Sequence, residues 1–143
     1  MVTGPPPVIH ELTASESWQL LREAAVGRLA VVVDGAPDIF PVNHIVDGGS
    51  LVFRTGEGTK LWGALGQLVA FEVDGLDAGS AVAWSVVVRG RATEVKQLHD
   101  VVEALELPLY PWQGGNKPRF VRIEPDAVTG RRFVASIAPA ASP

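Results

Sequence analysis

Short apolar runs separated by tight Asp/Gly turns constrain this chain more than any other feature. Arg28 to Val33 is a Val-rich strand pattern, Asp34-Gly35 a hairpin turn, and Asp38 to Val46 its partner. Asp47, Gly48, Gly49 and Ser50 make the next turn and lead into a strand over 51–54. A further strand is predicted over 68–73, and a loop over 74–80 precedes the longest strand, Ala81 to Val95. Gly90 stands within that strand as a bulge or a point of close backbone approach. The last strand, Arg119 to Ile123, is expected to turn at Glu124, Pro125 and Asp126 and to resume over 128–134. Six or more strands on such short connections predict an antiparallel barrel or sandwich. Helical crossovers are too few for a parallel, doubly wound sheet.

Helices are few. Thr13 and Glu16 form a capping-box pair, and Trp18, Leu21, Ala24 and Ala25 follow at helical spacing. A helix is therefore predicted over 14–25, with Trp18 and Leu21 buried and Gly27 ending it. Short helical runs are expected over 59–66 and 97–107, the latter with Val101, Val102 and Leu105 on its apolar side. Pro108, Pro111, Gly114 and Gly115 then make a loop that carries Trp112. The whole of 1–143 reads as one domain, with 1–10, rich in proline, and 136–143 as loosely ordered tails.

Composition narrows the function. A chain of 143 residues can bury a real core, and 47% apolar with 20% charged residues excludes a disordered one. The positive mean hydropathy hints at apolar surface covered by a partner. No stretch approaches the ~18 apolar residues of a membrane span, and the start lacks the features of a signal peptide. With no cysteine, disulfides, thiolate metal sites and a Cys nucleophile are excluded, and a cytoplasmic address is the simplest expectation. A net charge of −4 opposes nucleic-acid binding. His10, His44 and His99 lie far apart with no clustered carboxylates, so no metal site is expected. No G-x-S-x-G elbow appears, and Ser85 in a Val-rich strand reads as packing.

The strand at 51–54 empties into Thr55, Gly56, Glu57, Gly58, Thr59 and Lys60. Backbone N–H groups, hydroxyls and the cations of Arg54 and Lys60 gathered there suit a phosphate. The alternative is a solvated hairpin turn, since neither a Walker A string nor a full dinucleotide fingerprint is present. Pro41 interrupts a strand beside Asn43, which leaves backbone groups able to meet the edge of a planar ring. The alternative there is an ordinary edge-strand proline. Lys117, Arg119, Arg122, Arg131 and Arg132 form a basic stretch near the C-terminus. It is either a solvated strand face or a second anion contact supplied across a subunit interface.

The order of Gly27 to Ala30, Pro37 to Asn43, Leu51 to Thr55, Gly58 to Lys60 and Val69 to Val73 resembles the pyridoxamine 5′-phosphate oxidase-like, flavin-binding split-barrel family. Gly90 to Ala92, Arg122 to Pro125 and Val128 to Arg132 resemble its small actinobacterial branch. The resemblance implies a mainly β fold, a six-stranded antiparallel split barrel with two or three short helices. It also implies a homodimer that binds two flavin-type cofactors across the groove between subunits. By position, Arg54, Thr55 and Lys60 would hold the cofactor phosphate. Pro41, Val42, Asn43, Val52 and Phe53 would line the ring. Trp84 and Ser85, with Arg131 and Arg132 of the other subunit, would close the site.

Relatives of this size include reductases using FMN or the deazaflavin F420, and haem-binding members. The net charge disfavours the basic channel that F420 would need, and the chain lacks the C-terminal Arg/His elements of true vitamin B6 oxidases. The expectation is an FMN-dependent oxidoreductase acting on a small molecule or electron donor. A non-catalytic flavin or haem carrier and an emptied dimeric scaffold are the rivals. His44 is the one nearby acid–base candidate.

Overall fold

A computed structural model describes residues 8–56, 58–96, 103 and 119–135. Among these residues, eight strands and two helices follow in the order β1 (Ile9–Glu11), α1 (Ala14–Glu23), β2 (Val26–Val33), β3 (Ala36–Asn43), β4 (Ile45–Asp47), β5 (Ser50–Thr55), α2 (Lys60–Gly63), β6 (Leu68–Asp77), β7 (Val82–Glu94) and β8 (Arg119–Val134). The predicted helix over 97–107 and the loop of Trp112 lie outside the described residues, except that Glu103 is helical.

Every pairing is antiparallel, in the order β3-β2-β6-β7-β8-β5-β4, with β1 added to β8. The sheet curls until β3 approaches β5, which gives the split barrel with β2, β3, β5, β6, β7 and β8 as its six staves. Period-2 alternation decides the two faces. Leu29, Val31, Phe53, Phe71, Val73, Val86, Val88, Val121 and Ile123 point inward and are almost completely buried. Arg28, Glu72, Arg89, Arg91 and Thr93 point outward at alternating positions.

Helix α1 closes one side of the barrel. The Thr13–Glu16 capping box is present in both directions, with the Glu16 amide donating to Thr13 Oγ1 at 3.1 Å and the Thr13 amide donating to Glu16 Oε1 at 3.0 Å. Leu21 is fully buried and Trp18 packs partly against the core. The helix stops at Glu23, earlier than Gly27. Gly27 lies instead in β2, where an added Cβ would sit 2.1 Å from the Phe71 ring, so its small size serves packing rather than helix termination.

Other boundaries also differ from the sequence pattern, and β6 runs on to Asp77 through residues read as a loop over 74–80. The run read as 38–46 breaks at His44 into β3 and β4. Residues Ile9 and His10, within the proline-rich lead-in, pair with Phe133 and Arg132. Glu124, Pro125 and Asp126 form no turn. β8 passes through them as a bulge, with Gly90 opposite Pro125 and Arg89 opposite Ala127, so Asp126 is the extra residue. The proline is tolerated because a bulge suspends regular ladder bonding, and Gly90 makes the close approach possible.

Candidate functional site

The strand alternation sorts the expected site residues. Pro41 and Asn43 share the outer face of β3, and Val52 and Arg54 share the outer face of β5. Ile45 pairs directly with Val52, which brings the β3–β4 corner against the strand that carries Arg54. β3 is terminal in the strand order, so its outward backbone edge has no strand partner among the described residues. Val42 and Phe53 point the other way, into the main core, and can offer a ligand only their backbone. Val52 is fully buried in a smaller outer cluster with Val95, Phe120 and Ile45.

The phosphate candidates sit where β5 ends. The Arg54 guanidinium lies 5.1 Å from the centre of the Phe120 ring, the residue opposite it on β8. Thr55 is buried, and its Oγ1 is 3.2 Å from Thr59 Oγ1. Thr59 Oγ1 donates to the Gly56 carbonyl at 2.9 Å and accepts the Trp62 amide at 3.1 Å, capping α2. Gly58 takes φ +78°, a left-handed conformation suited to glycine. This hydroxyl network fixes the turn before any ligand arrives. Lys60 opens α2, but its side chain, like Glu57, is outside the described residues. α2 is a single turn, shorter than the helical run expected over 59–66.

At the β3–β4 corner two buried acceptors stand without donors among the described residues: Asn43 Oδ1 and His44 Nδ1. His44 is 7% exposed, and its Nε2 lies 2.7 Å from the Leu21 carbonyl of α1. Its ring meets Phe71 edge-on at 4.7 Å between centroids. Burial pushes the His44 pKa below the ordinary value, against the smaller opposing pull of the Leu21 carbonyl. The ring is therefore neutral near pH 7, with Nε2–H donating to Leu21 and Nδ1 bare.

The remaining candidates lie elsewhere on the chain. Trp84 covers Gly75 on the inner side and pairs with Arg132, whose Nη1 is 3.6 Å from Glu16 Oε2. Ser85 sits between Asp74 and Arg131 in the strand register. Along β8, Arg132 is twelve residues from Phe120, roughly 40 Å of strand contour. The Trp84, Ser85, Arg131 and Arg132 group and the Arg54–Phe120 pair therefore lie at opposite ends of β8.

The C-terminal basic stretch is not a single cationic surface. Arg119 is 3.5 Å from Glu94 and stacks near Trp62, and Arg122 is 3.0 Å from Asp47. Ile45 and Phe120, which flank the Arg54 end, were not among the expected site residues, whereas Arg119 beside them belongs to the basic stretch read as a solvated face or a second anion contact. Their proximity follows from register between distant strands and left no local signal. Among the described residues no cluster of three or more His, Asp or Glu side chains could hold a metal, and no helix is long and apolar enough to cross a membrane.

Comparison with known proteins agrees with the architecture. The family model described as pyridoxamine 5′-phosphate oxidase matches residues 13–132. An uncharacterized protein of Mycobacterium tuberculosis is 39% identical over 133 residues, covering 89% of this chain and 87% of the relative. The solved FAD binding protein of Mycobacterium smegmatis is 40% identical, with a TM-score of 0.76, over 87% of this chain and 98% of that one. A FAD-binding protein of Mesorhizobium loti is 25% identical, with a TM-score of 0.73, over 89% and 98%.

Proposed function

Because this chain belongs to the pyridoxamine 5′-phosphate oxidase family, we propose that it binds a flavin between the β3–β4 corner and the end of β5, and that it works as a flavin-dependent oxidoreductase. The observation that carries the reading is Asn43 Oδ1, a buried acceptor without a donor in the segment assigned to the ring. The ring edge of a flavin presents an N–H of the kind this oxygen lacks. The free outward edge of β3 adds backbone groups that can meet the other edge atoms.

Arg54, Thr55 and Lys60 hold the phosphate end. The Thr55–Thr59 hydroxyl network keeps that turn in place, so little ordering is needed on binding. Pro41, Asn43 and Val52 border the ring, and the buried cluster of Ile45, Val52, Val95 and Phe120 keeps water from its back. The bound flavin supplies hydride or electron transfer, while the chain binds, orients and shields it. The Mycobacterium smegmatis relative is FAD-binding by name, so FAD stands beside FMN as the form to test.

The site takes in two subunits. Trp84 and Ser85 on β7, with Arg131 and Arg132 beside them on β8, stand at the other end of β8 from Phe120, the partner of Arg54, and a second copy related by a two-fold axis would bring such a group to that end.

Absorption spectra of the purified protein with added FAD or FMN, followed by a binding titration, test the reading. Arg54→Ala and Lys60→Ala are each expected to weaken binding by roughly 1.5–3 kcal/mol, the value of a charge-assisted contact. If both variants hold flavin as tightly as the parent, the phosphate assignment is wrong. Consumption of NAD(P)H or reduced F420 with an acceptor distinguishes an enzyme from a carrier.

A further inference from the structure

Helix α1 leaves its last carbonyls without helical partners, as every helix must. The Leu20 carbonyl still accepts the last bond of the helical ladder, from the Ala24 amide at 3.1 Å, whereas the Leu21 carbonyl beyond it is met by His44 Nε2 at 2.7 Å. A side chain from the β3–β4 corner thus caps the helix that closes the barrel. The same corner is tied by its backbone, with the His44 amide donating to the Ala25 carbonyl at 3.4 Å. The residue before His44 is Asn43, whose buried Oδ1 awaits a donor, and the residue after it pairs with Val52. One imidazole therefore fixes both the helix end and the segment assigned to the flavin.

We infer that His44 is a positioning residue for the flavin site, holding Asn43 in place through its bond to the end of α1 and releasing it when the ring takes up a proton. The inference rests on the flavin reading of the site. Proton uptake adds an N–H at Nδ1, where no acceptor stands among the described residues, and places a charge against Phe71. A cation at a helix C-terminus is otherwise favourable. Here the carbonyl accepts from Nε2–H in either form, so the cost of burial dominates.

The charged groups on the elements packed around His44 are engaged elsewhere. On α1, Glu16 pairs with Arg132, Glu23 accepts from Gln19, and Arg22 is exposed. On β2 and β6, Arg28 pairs with Glu72 and Asp74 on the outer face, and on β4 Asp47 pairs with Arg122. Among the described residues no carboxylate is paired with the ring to hold the imidazolium in place. Relief comes from opening the helix end to water, and that frees the corner.

The experiment follows amide hydrogen exchange at Leu20 to Ala25 and flavin affinity together, between about pH 7.5 and about pH 5, across the range where histidine ordinarily titrates. In the wild type the protection of these amides, corrected for the intrinsic pH dependence of exchange, and the flavin affinity are expected to fall together, affinity by up to about tenfold per pH unit once the flavin-free ring titrates. His44→Gln keeps an N–H for the Leu21 carbonyl but cannot titrate. It is expected to retain binding at neutral pH and to show a flat profile. His44→Leu, which loses the bond, should expose the helix end at every pH. If the wild-type profiles are flat, or His44→Gln falls with pH as the wild type does, the inference is overturned. If the helix end responds to pH as expected but no flavin binds at any pH, the flavin reading fails, and with it the role of His44 in binding, while the clamp itself stands.

Discussion

At the scale of single residues, close backbone approach sets the strictest limits. A Cβ at Gly90 would lie 2.1 Å from the Glu124 carbonyl oxygen and 2.8 Å from its carbon, both main-chain atoms that cannot rotate away. Gly90→Ala is expected to destabilise the protein by about 3 kcal/mol or more, because the bulge between β7 and β8 would have to separate. Chemical denaturation measures this, and a change below about 1 kcal/mol would show that the bulge is looser than described. His44 adds a stability term of definite sign. Its folded-state pKa is lowered, so its contribution is complete above the ordinary histidine value and is lost as pH falls from there toward the lowered one. Asp74 adds a second term, since the Arg28 guanidinium holds its carboxyl below the usual range, and that support goes at lower pH as the carboxylate is protonated.

At the scale of elements, α1 shows what a sequence displays and what it conceals. The capping box was legible because Thr13 and Glu16 are three apart, and the buried face followed from the spacing of Trp18 and Leu21. Thr13→Ala should cost roughly 1 kcal/mol and raise amide exchange in the first turn of α1. An unchanged exchange pattern would mean that packing alone holds the helix. The place where α1 docks was not legible. It rests on Gly130, where a Cβ would come within 2.5 Å of Ser17 Oγ, and the 112 residues between 17 and 130 carry no local sign of the contact. The strands at 28–33 and 51–54 were legible from alternation and from their Asp/Gly turns. The turn read at 124–126 was not a turn, because Glu-Pro-Asp suits a turn and a bulge equally and only the facing Gly90 decides between them. The site divides in the same way. The turn at 55–60 announces itself in sequence, whereas Phe120 beneath Arg54 and Leu21 beside His44 depend on pairings that only the fold creates.

At the scale of the whole molecule, the curled sheet places β3 at one end of the strand order, without a second strand partner among the described residues, and sets the two groups of site residues against opposite ends of β8. That placement is the physical reason for proposing a two-fold assembly, with each flavin held by its ring at Asn43 and its phosphate at Arg54 of one subunit and closed from the other. Sedimentation near micromolar concentration should then give twice the 15.2 kDa chain mass, and a monomer alone would remove the second half of the site. The claim beneath all of this is that a flavin lies against the β3–β4 corner and the end of β5. Backbone chemical shifts recorded during a titration with FAD and with FMN test it most directly. The account predicts saturable changes at Asn43, His44 and Ile45, and from Arg54 through Trp62. Changes confined to other parts of the barrel, or none at flavin concentrations up to about 100 μM, would contradict it.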